Sequence, residues 1–162
     1  LMAGTSATTF SPYANTSRGM IVTALHGMCG KPVFEGCVFS DVEEGAYYAK
    51  ATCWASQNQI ISGFGQGEFG PDEDVQREQL AVVMMRYAQY LGLETPERAD
   101  LSGFVDADQI SAYAQEAMSW ANAVGLLSGK GDGIMDPQGV ATRAEVAAMM
   151  ARLDQMVKQT EG

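Results

Sequence analysis

Three arginines carry the most suggestive chemistry in this chain. Arg18, Arg77 and Arg143 each follow a stretch that contains glycine and proline, and each opens an apolar-periodic segment. A guanidinium presents a planar fork of N–H donors that matches a carboxylate. A helix start adds free backbone N–H groups that attract anions. A cation in the first helical turn faces the positive end of the helix dipole, at a cost on the order of a few tenths of a kcal/mol. Something must therefore compensate each arginine. A buried acidic side chain and an anionic ligand both meet that need, and spacing alone does not choose between them.

Other groups offer less. The sequence holds no nucleophile–base pair, no metal-ligand cluster and no phosphate-loop lysine, so no catalytic residue, metal or cofactor is expected. The glycines of 63–67 and 129–133 lack the strand–turn–helix context of a dinucleotide fingerprint. Asp72 with Asp74, and Asp132 with Asp136, suggest calcium, but neither set completes a binding loop, and both read as solvated turn residues. His26 sits among apolar residues on a predicted helix and reads as an ordinary helix residue. Cys29 and Cys37 flank a short connector and could pair; otherwise Cys29, Cys37 and Cys53 stand as free thiols.

The elements that position the arginines repeat. Leu1 to Met28, Ile60 to Tyr87 and Leu126 to Leu153 align without gaps, matching Gly4, Gly63 and Gly129, then Pro12, Pro71 and Pro137, then the arginines. Ile21, Ala24, Leu25 and Met28 fall on Leu80, Val83, Met84 and Tyr87, and these on Val146, Met149, Met150 and Leu153. That i, i+3, i+4, i+7 spacing is one face of a helix, and an aliphatic stripe of this kind is core. A second shared half precedes two of the loops: Phe39-Ser40-Asp41 matches Phe104-Val105-Asp106, and Tyr47, Ala51, Trp54 and Ala55 match Tyr113, Ala117, Trp120 and Ala121. Asp41 or a residue just after it is expected to start the earlier helix, and Asp106 or Asp108 the later one. Thr142 and Glu145 fit a capping box.

Each full unit thus reads helix, glycine-rich loop, helix. The chain is expected to form one all-α domain over 1–162: the second half of a first unit (1–30), a second unit (38–92) and a third (103–158), joined by connectors near 29–38 and 92–103. Helices are expected near 17–28, 46–58, 76–91, 109–124 and 141–157. The first unit lacks its opening helix, so the stripe Ile21, Ala24, Leu25 and Met28 needs apolar cover. Either residues 1–30 are less stable than the rest or another chain, by self-association or as a partner, covers them.

The formal net charge of -10 argues against nucleic-acid binding and against general adhesion to an anionic membrane. No apolar run approaches the roughly 18 residues of a membrane-spanning helix. No basic segment followed by an apolar stretch opens the chain at Leu1, so an export signal is expected outside this sequence.

Taken in order, Phe39-Ser40-Asp41-Val42, Trp54-Ala55, Ile60 to Pro71 and Ala141-Thr142-Arg143-Ala144-Glu145 resemble the surface-layer homology family over nearly the whole chain. The resemblance implies pseudo-threefold helix-loop-helix units. It also implies noncovalent attachment to secondary cell-wall polysaccharide, often with pyruvylated sugar ends, on bacterial surfaces usually of the Gram-positive type. The Thr-Arg-Ala-Glu motif is intact only at Thr142–Glu145; Gln76-Arg77-Glu78-Gln79 and Ser17-Arg18-Gly19-Met20 keep only the arginine. On this reading Arg77 and Arg143, with Arg18, take the carboxylate of a pyruvate ketal. Gly65, Gly67, Gly131 and Gly133 bring backbone N–H groups to sugar hydroxyls, Tyr47 and Tyr113 offer ring faces, and both tryptophans are buried between helices. The competing expectation is a protein–protein assembly module of a surface layer.

Overall fold

The computed structural model describes residues 14–33, 39–62 and 67–161. Five helices follow in order: α1 (Arg18–Met28), α2 (Ala49–Gln57), α3 (Arg77–Tyr90), α4 (Gln115–Ala123) and α5 (Arg143–Glu161). Among the described residues pairing of the β type is confined to isolated bridges. The all-α expectation holds, and the apolar stripes lie in one core that includes both tryptophans.

The long helices start where their caps place them. Ser17 Oγ accepts the Met20 N–H, Gln76 and Gln79 form a reciprocal capping box, and Thr142 Oγ1 accepts the Glu145 N–H. The short helices start later than their periodicity suggests. α2 begins at Ala49, and α4 at Gln115 after two 3-10 turns, Ala107–Gln109 and Ala112–Ala114. The aspartates expected to cap them are committed elsewhere. Asp41 accepts the N–H groups of Phe69 and Gly70, and Asp106 those of Met135 and Asp136. With those carboxylates turned toward the glycine loops, the chain passes through turns before each helix begins.

The units close on one another around a central ring. The Val75 N–H donates to the Thr16 carbonyl, the Ala141 N–H to Val75 and the Thr16 N–H to Ala141, at 3.1, 2.8 and 3.2 Å. These are matching positions of the three units. The bridges Ser17–Asp74, Gln76–Val140 and Asn15–Thr142 repeat the same handover. The third unit therefore bonds back to the first, which gives the pseudo-threefold arrangement a hydrogen-bonded centre.

Opening and closing helices pack across units: α1 on α2, and α3 on α4. His26 stacks at a tilt on Trp54, and a Cβ at Gly19 would meet the Tyr48 ring at 3.1 Å. Ile21, Ala24 and Leu25 are buried and Met28 is partly buried against the core, so the stripe expected to lack cover is covered within the chain, by α2. The expectation of an uncovered stripe misplaced the gap. Gly19, Val22 and His26 on α1 and Glu78, Ala81 and Met85 on α3 are buried, whereas the matching Ala144 and Ala151 on α5 are exposed and Ala147 is half-buried. The open face belongs to the last helix. Residues 1–13 lie outside the described set.

The cysteines also differ from both expectations. Cys29 is free, which excludes its pairing with Cys37, and Cys53 is disulfide-bonded. Cys37, the remaining cysteine of the sequence, falls outside the described residues. Burial pushes the Cys29 thiol up from its ordinary value.

One atom at the ring is poorly used. Thr16 is fully buried and its hydroxyl has no hydrogen-bond partner among the described residues, while the matching residue in the second unit is Val75. An unpaired buried hydroxyl costs about 1–3 kcal/mol. Thr16→Val should therefore raise stability by about 1 kcal/mol in urea denaturation with an unchanged slope; an equal loss would show that the hydroxyl is paired in solution.

Candidate functional site

Each arginine sits in the first turn of its helix and reaches across a unit boundary. Arg77 is 3% exposed, and its three nitrogens are all engaged. Nε donates to the Met135 carbonyl at 3.0 Å, one terminal nitrogen to Ser128 O at 2.8 Å, and the other to the Glu145 carboxylate at 2.6 Å. Arg18 repeats the pattern one unit earlier, with Nε on Phe69 O at 3.0 Å and a terminal nitrogen on Ser62 O. Its guanidinium also lies 4.8 Å above the Phe69 ring. Burial pulls the Arg18 pKa down, against the charges of Glu73 and Asp41. Arg143, also 3% exposed, approaches Met20 Sδ at 3.9 Å, the position that Glu145 holds relative to Arg77. The loop positions matching Ser62 and Phe69 in the first unit, Ala3 and Phe10, lie outside the described residues.

The compensation demanded by a cation at a helix start is thus supplied by loop carbonyls of the next unit and, for Arg77, by an acidic side chain. Glu145 gives its carboxylate to Arg77, so the motif's glutamate serves the neighbouring unit's arginine.

The same loop residues are gripped from the other side. Phe69 and Met135 offer their carbonyls to the arginines and their N–H groups to Asp41 and Asp106, at 2.9 Å in both units. The Met135 N–H, helped by that of Asp136 and by the charge of Arg77 and opposed by burial, holds the Asp106 carboxyl below its ordinary range. At Asp41 burial raises the pKa, but the Phe69 and Gly70 N–H bonds outweigh it and the net direction is again downward.

The glycines act in the same frame. Gly67 and Gly133 take φ of 78° and 72°, which favours a residue without a side chain, and their carbonyls accept the N–H groups of Ser40 and Val105. Gly131 opens a tight turn whose carbonyl accepts the Ile134 N–H. Gly65 lies outside the described residues.

The expected pool of free helix-start N–H groups is not there. Arg18, Arg77 and Arg143 donate their own N–H to the carbonyls of Glu73, Gly139 and Ala14, and Gly19 and Glu78 donate theirs to Pro71 and Pro137. With the next donors taken by caps, the starts of α1 and α3 are saturated, largely by neighbouring units.

Of the candidate ring faces, Tyr47 is 67% and Tyr113 59% exposed. Tyr113 also donates its hydroxyl to Glu78, a buried carboxylate that accepts from Ser111 and Gln138 as well. Both tryptophans are buried, and the Trp54 indole N–H donates to the Tyr90 hydroxyl.

A feature missed by the sequence reading is a cleft of about 550 Å³ between the end of α2 and the second half of α3. Asn58, Gln59, Ser62, Arg86, Gln89 and Tyr90 line it. The signal available in the sequence was a cluster of amides and an arginine around a tyrosine, but Asn58, Gln59 and Tyr90 do not recur in the third unit, so a search for repeats passes over them.

Two outcomes test this geometry. Arg77→Ala should destabilise the domain by about 2–4 kcal/mol, since it strands a carboxylate and two carbonyls; Arg77→Lys should recover only part, because an ammonium cannot span all three acceptors. A variant that melts like the parent yet loses ligand binding would restore the arginine as a ligand residue. Second, a carboxyl with a depressed folded pKa stabilises above the unfolded value, about 3.9, and that stability is lost as pH falls through the folded pKa. The stability gap between the parent and Asp106→Asn should therefore be constant near neutrality and shrink below about pH 4; a gap unchanged down to pH 2 would show that Asp106 is not held as the carboxylate.

Comparison with known proteins agrees with this architecture. The family model described as S-layer homology domain matches residues 38–81 and 103–147. An endoglucanase of Bacillus sp. (strain KSM-635) is 32% identical over 94% of this chain and 16% of its own length. The exoglucanase XynX of Acetivibrio thermocellus is 33% identical over 69% of the chain and 10% of its own length. A cell surface protein of Thermoanaerobacter kivui is 31% identical over 70% of the chain and 15% of its own length. The chain therefore spans less than a fifth of each of these relatives, and its matches to the two enzymes cover only that share of them. On the matched repeats and the fold they adopt, the chain belongs to the S-layer homology domain family of bacterial cell-surface proteins.

Proposed function

We propose that the domain anchors a surface protein noncovalently to the bacterial cell wall by binding a secondary cell-wall polysaccharide, at its anionic, pyruvylated sugar ends, and catalyses nothing itself. The observation that carries this reading is family membership across two repeats, shared with relatives as different as glucanases and a cell surface protein. A module joined to unrelated partners supplies what they have in common, which is location. In this reading Arg18, Arg77 and Arg143 serve binding indirectly, by fixing the loops that shape the surface. Tyr47 and Tyr113 remain available as ring faces.

A second reading, assembly with another protein chain, has one observation in its favour. The α5 face with Ala144 and Ala151 is open where the matching faces of α1 and α3 are covered.

Sedimentation with purified sacculi separates the two. The domain should pellet with intact sacculi and stay in solution after the secondary polymer is extracted. Equal retention on extracted sacculi would overturn the polysaccharide assignment, and failure to bind either preparation would favour the assembly reading.

A further inference from the structure

The repeat provides a matching place in the third unit, between the end of α4 and the second half of α5, and matching positions at and just after the end of α1 in the first unit. Their linings differ. In the second unit the lining is Asn58, Gln59, Ser62, Arg86, Gln89 and Tyr90. In the third unit the matching residues are Val124, Gly125, Ser128, Arg152, Gln155 and Met156, so two amides and the aromatic ring are gone. In the first unit Gly27, Gly30 and Lys31 stand where Arg86, Gln89 and Tyr90 stand in the second, leaving no guanidinium.

The two arginines in matching places are also differently employed. Arg152 turns its Nε and a terminal nitrogen to the Val124 carbonyl, each at 3.4 Å. Arg86 is exposed and has no hydrogen bond or ion pair among the described residues. Among the described residues the cleft lining contains no carboxylate, in a chain with 20 acidic and 10 basic residues, and Arg86 is the charged group in it.

Gln59 adds a structural oddity. It holds φ of 60°, the left-handed region, where its counterpart Gly125 holds 81°. Glycine takes that conformation freely and glutamine does not. A strained residue retained in a cleft points to use of its side chain. Tyr90 is 38% exposed, and its hydroxyl is fixed by the Trp54 N–H, so its ring is held at the cleft wall.

We infer that this domain recognises its polymer in a single cleft, that of the second unit. Arg86 takes the carboxylate of a terminal acidic sugar, the Asn58, Gln59 and Gln89 amides meet its hydroxyls, and Tyr90 offers the ring. The inference rests on the polysaccharide reading above and gives it one site. A bidentate guanidinium–carboxylate contact and paired amide–hydroxyl contacts suit a carboxylated sugar better than a neutral one.

The test is calorimetry with secondary polymer released from the sacculi of the bacterium that produces the protein, alongside sacculus sedimentation. The parent should bind one polymer end per domain. Arg86→Gln should weaken binding about tenfold or more, Arg86→Lys should recover part of it, and Gln59→Gly should weaken binding while raising the melting temperature. Arg152→Gln should bind as the parent does. All these positions are outside the core, and unchanged circular dichroism would show that the fold is intact. If the parent binds sacculi and polymer but Arg86→Gln and Gln59→Gly bind equally well, or if two or three ends bind per domain, the single-cleft inference is wrong. If the parent binds neither sacculi nor polymer, the polysaccharide reading itself fails.

Discussion

The fold turns on how one peptide group in each described glycine loop is held from two directions. In the Phe69–Gly70 and Met135–Asp136 peptides an aspartate of the same unit accepts the N–H of Gly70 or Asp136, and an arginine of the preceding unit donates to the carbonyl of Phe69 or Met135. Opposite charges at the two ends of a peptide polarise it in the sense of its own dipole, so each bond strengthens the other. The same contact answers the electrostatic difficulty of placing a cation at a helix start. The guanidinium is drawn away from its own helix dipole by carbonyls of the next unit, and the N–H groups of that helix start are consumed by the Glu73–Pro71 and Gly139–Pro137 carbonyls. The arginine is thereby a joint between units, and the loop conformation, the late start of the short helices and the order of the units follow from it.

A closed joint has consequences that an open array lacks. Linear repeats contact only their neighbours and can lose an end unit at modest cost. Here the Thr16 N–H donates to Ala141 while Arg143 donates its N–H to Ala14, so the third unit is tied back to the first. Loss of any one helix start opens the ring for all three. The open face falls on α5, whose matching opening helix is not among the described elements, and not on α1, which α2 covers.

Much of this was legible in the sequence because it recurs. The stripes Ile21 to Met28, Leu80 to Tyr87 and Val146 to Leu153 specify three helices with one buried face each, and burial follows them. The buried tryptophans were legible for the same reason. What periodicity does not encode is direction in space. Alignment shows that Arg18, Arg77 and Arg143 match, but whether each meets its own unit, the next unit or a ligand depends on the sense in which the ring closes. Asp41 and Asp106 were open to the same ambiguity: an aspartate ahead of a helical stripe has the composition of a cap, and only the fold brings Phe69 and Met135 within reach of it.

The division between recurrent and unique residues also bears on recognition. Residues that repeat at matching positions face constraints common to all units, and those constraints are architectural: seal a helix start, grip a loop, fill a core. A ligand that occupies one place imposes no such common demand, so its contacts appear where the units depart from one another. Gln59 against Gly125, Asn58 against Val124 and Tyr90 against Met156 are departures of that kind, each trading an apolar or minimal residue for a polar or aromatic one at the same cleft wall. Arg86 and Arg152 make the contrast sharper, because the residue is unchanged and only its employment differs. With an amide-lined wall beside it, the guanidinium stands clear; with Val124 and Gly125 beside it, it folds back onto a backbone carbonyl. On the single-cleft proposal, the contacts lie in the exceptions to the repeat, and the repeat itself describes the scaffold that holds them.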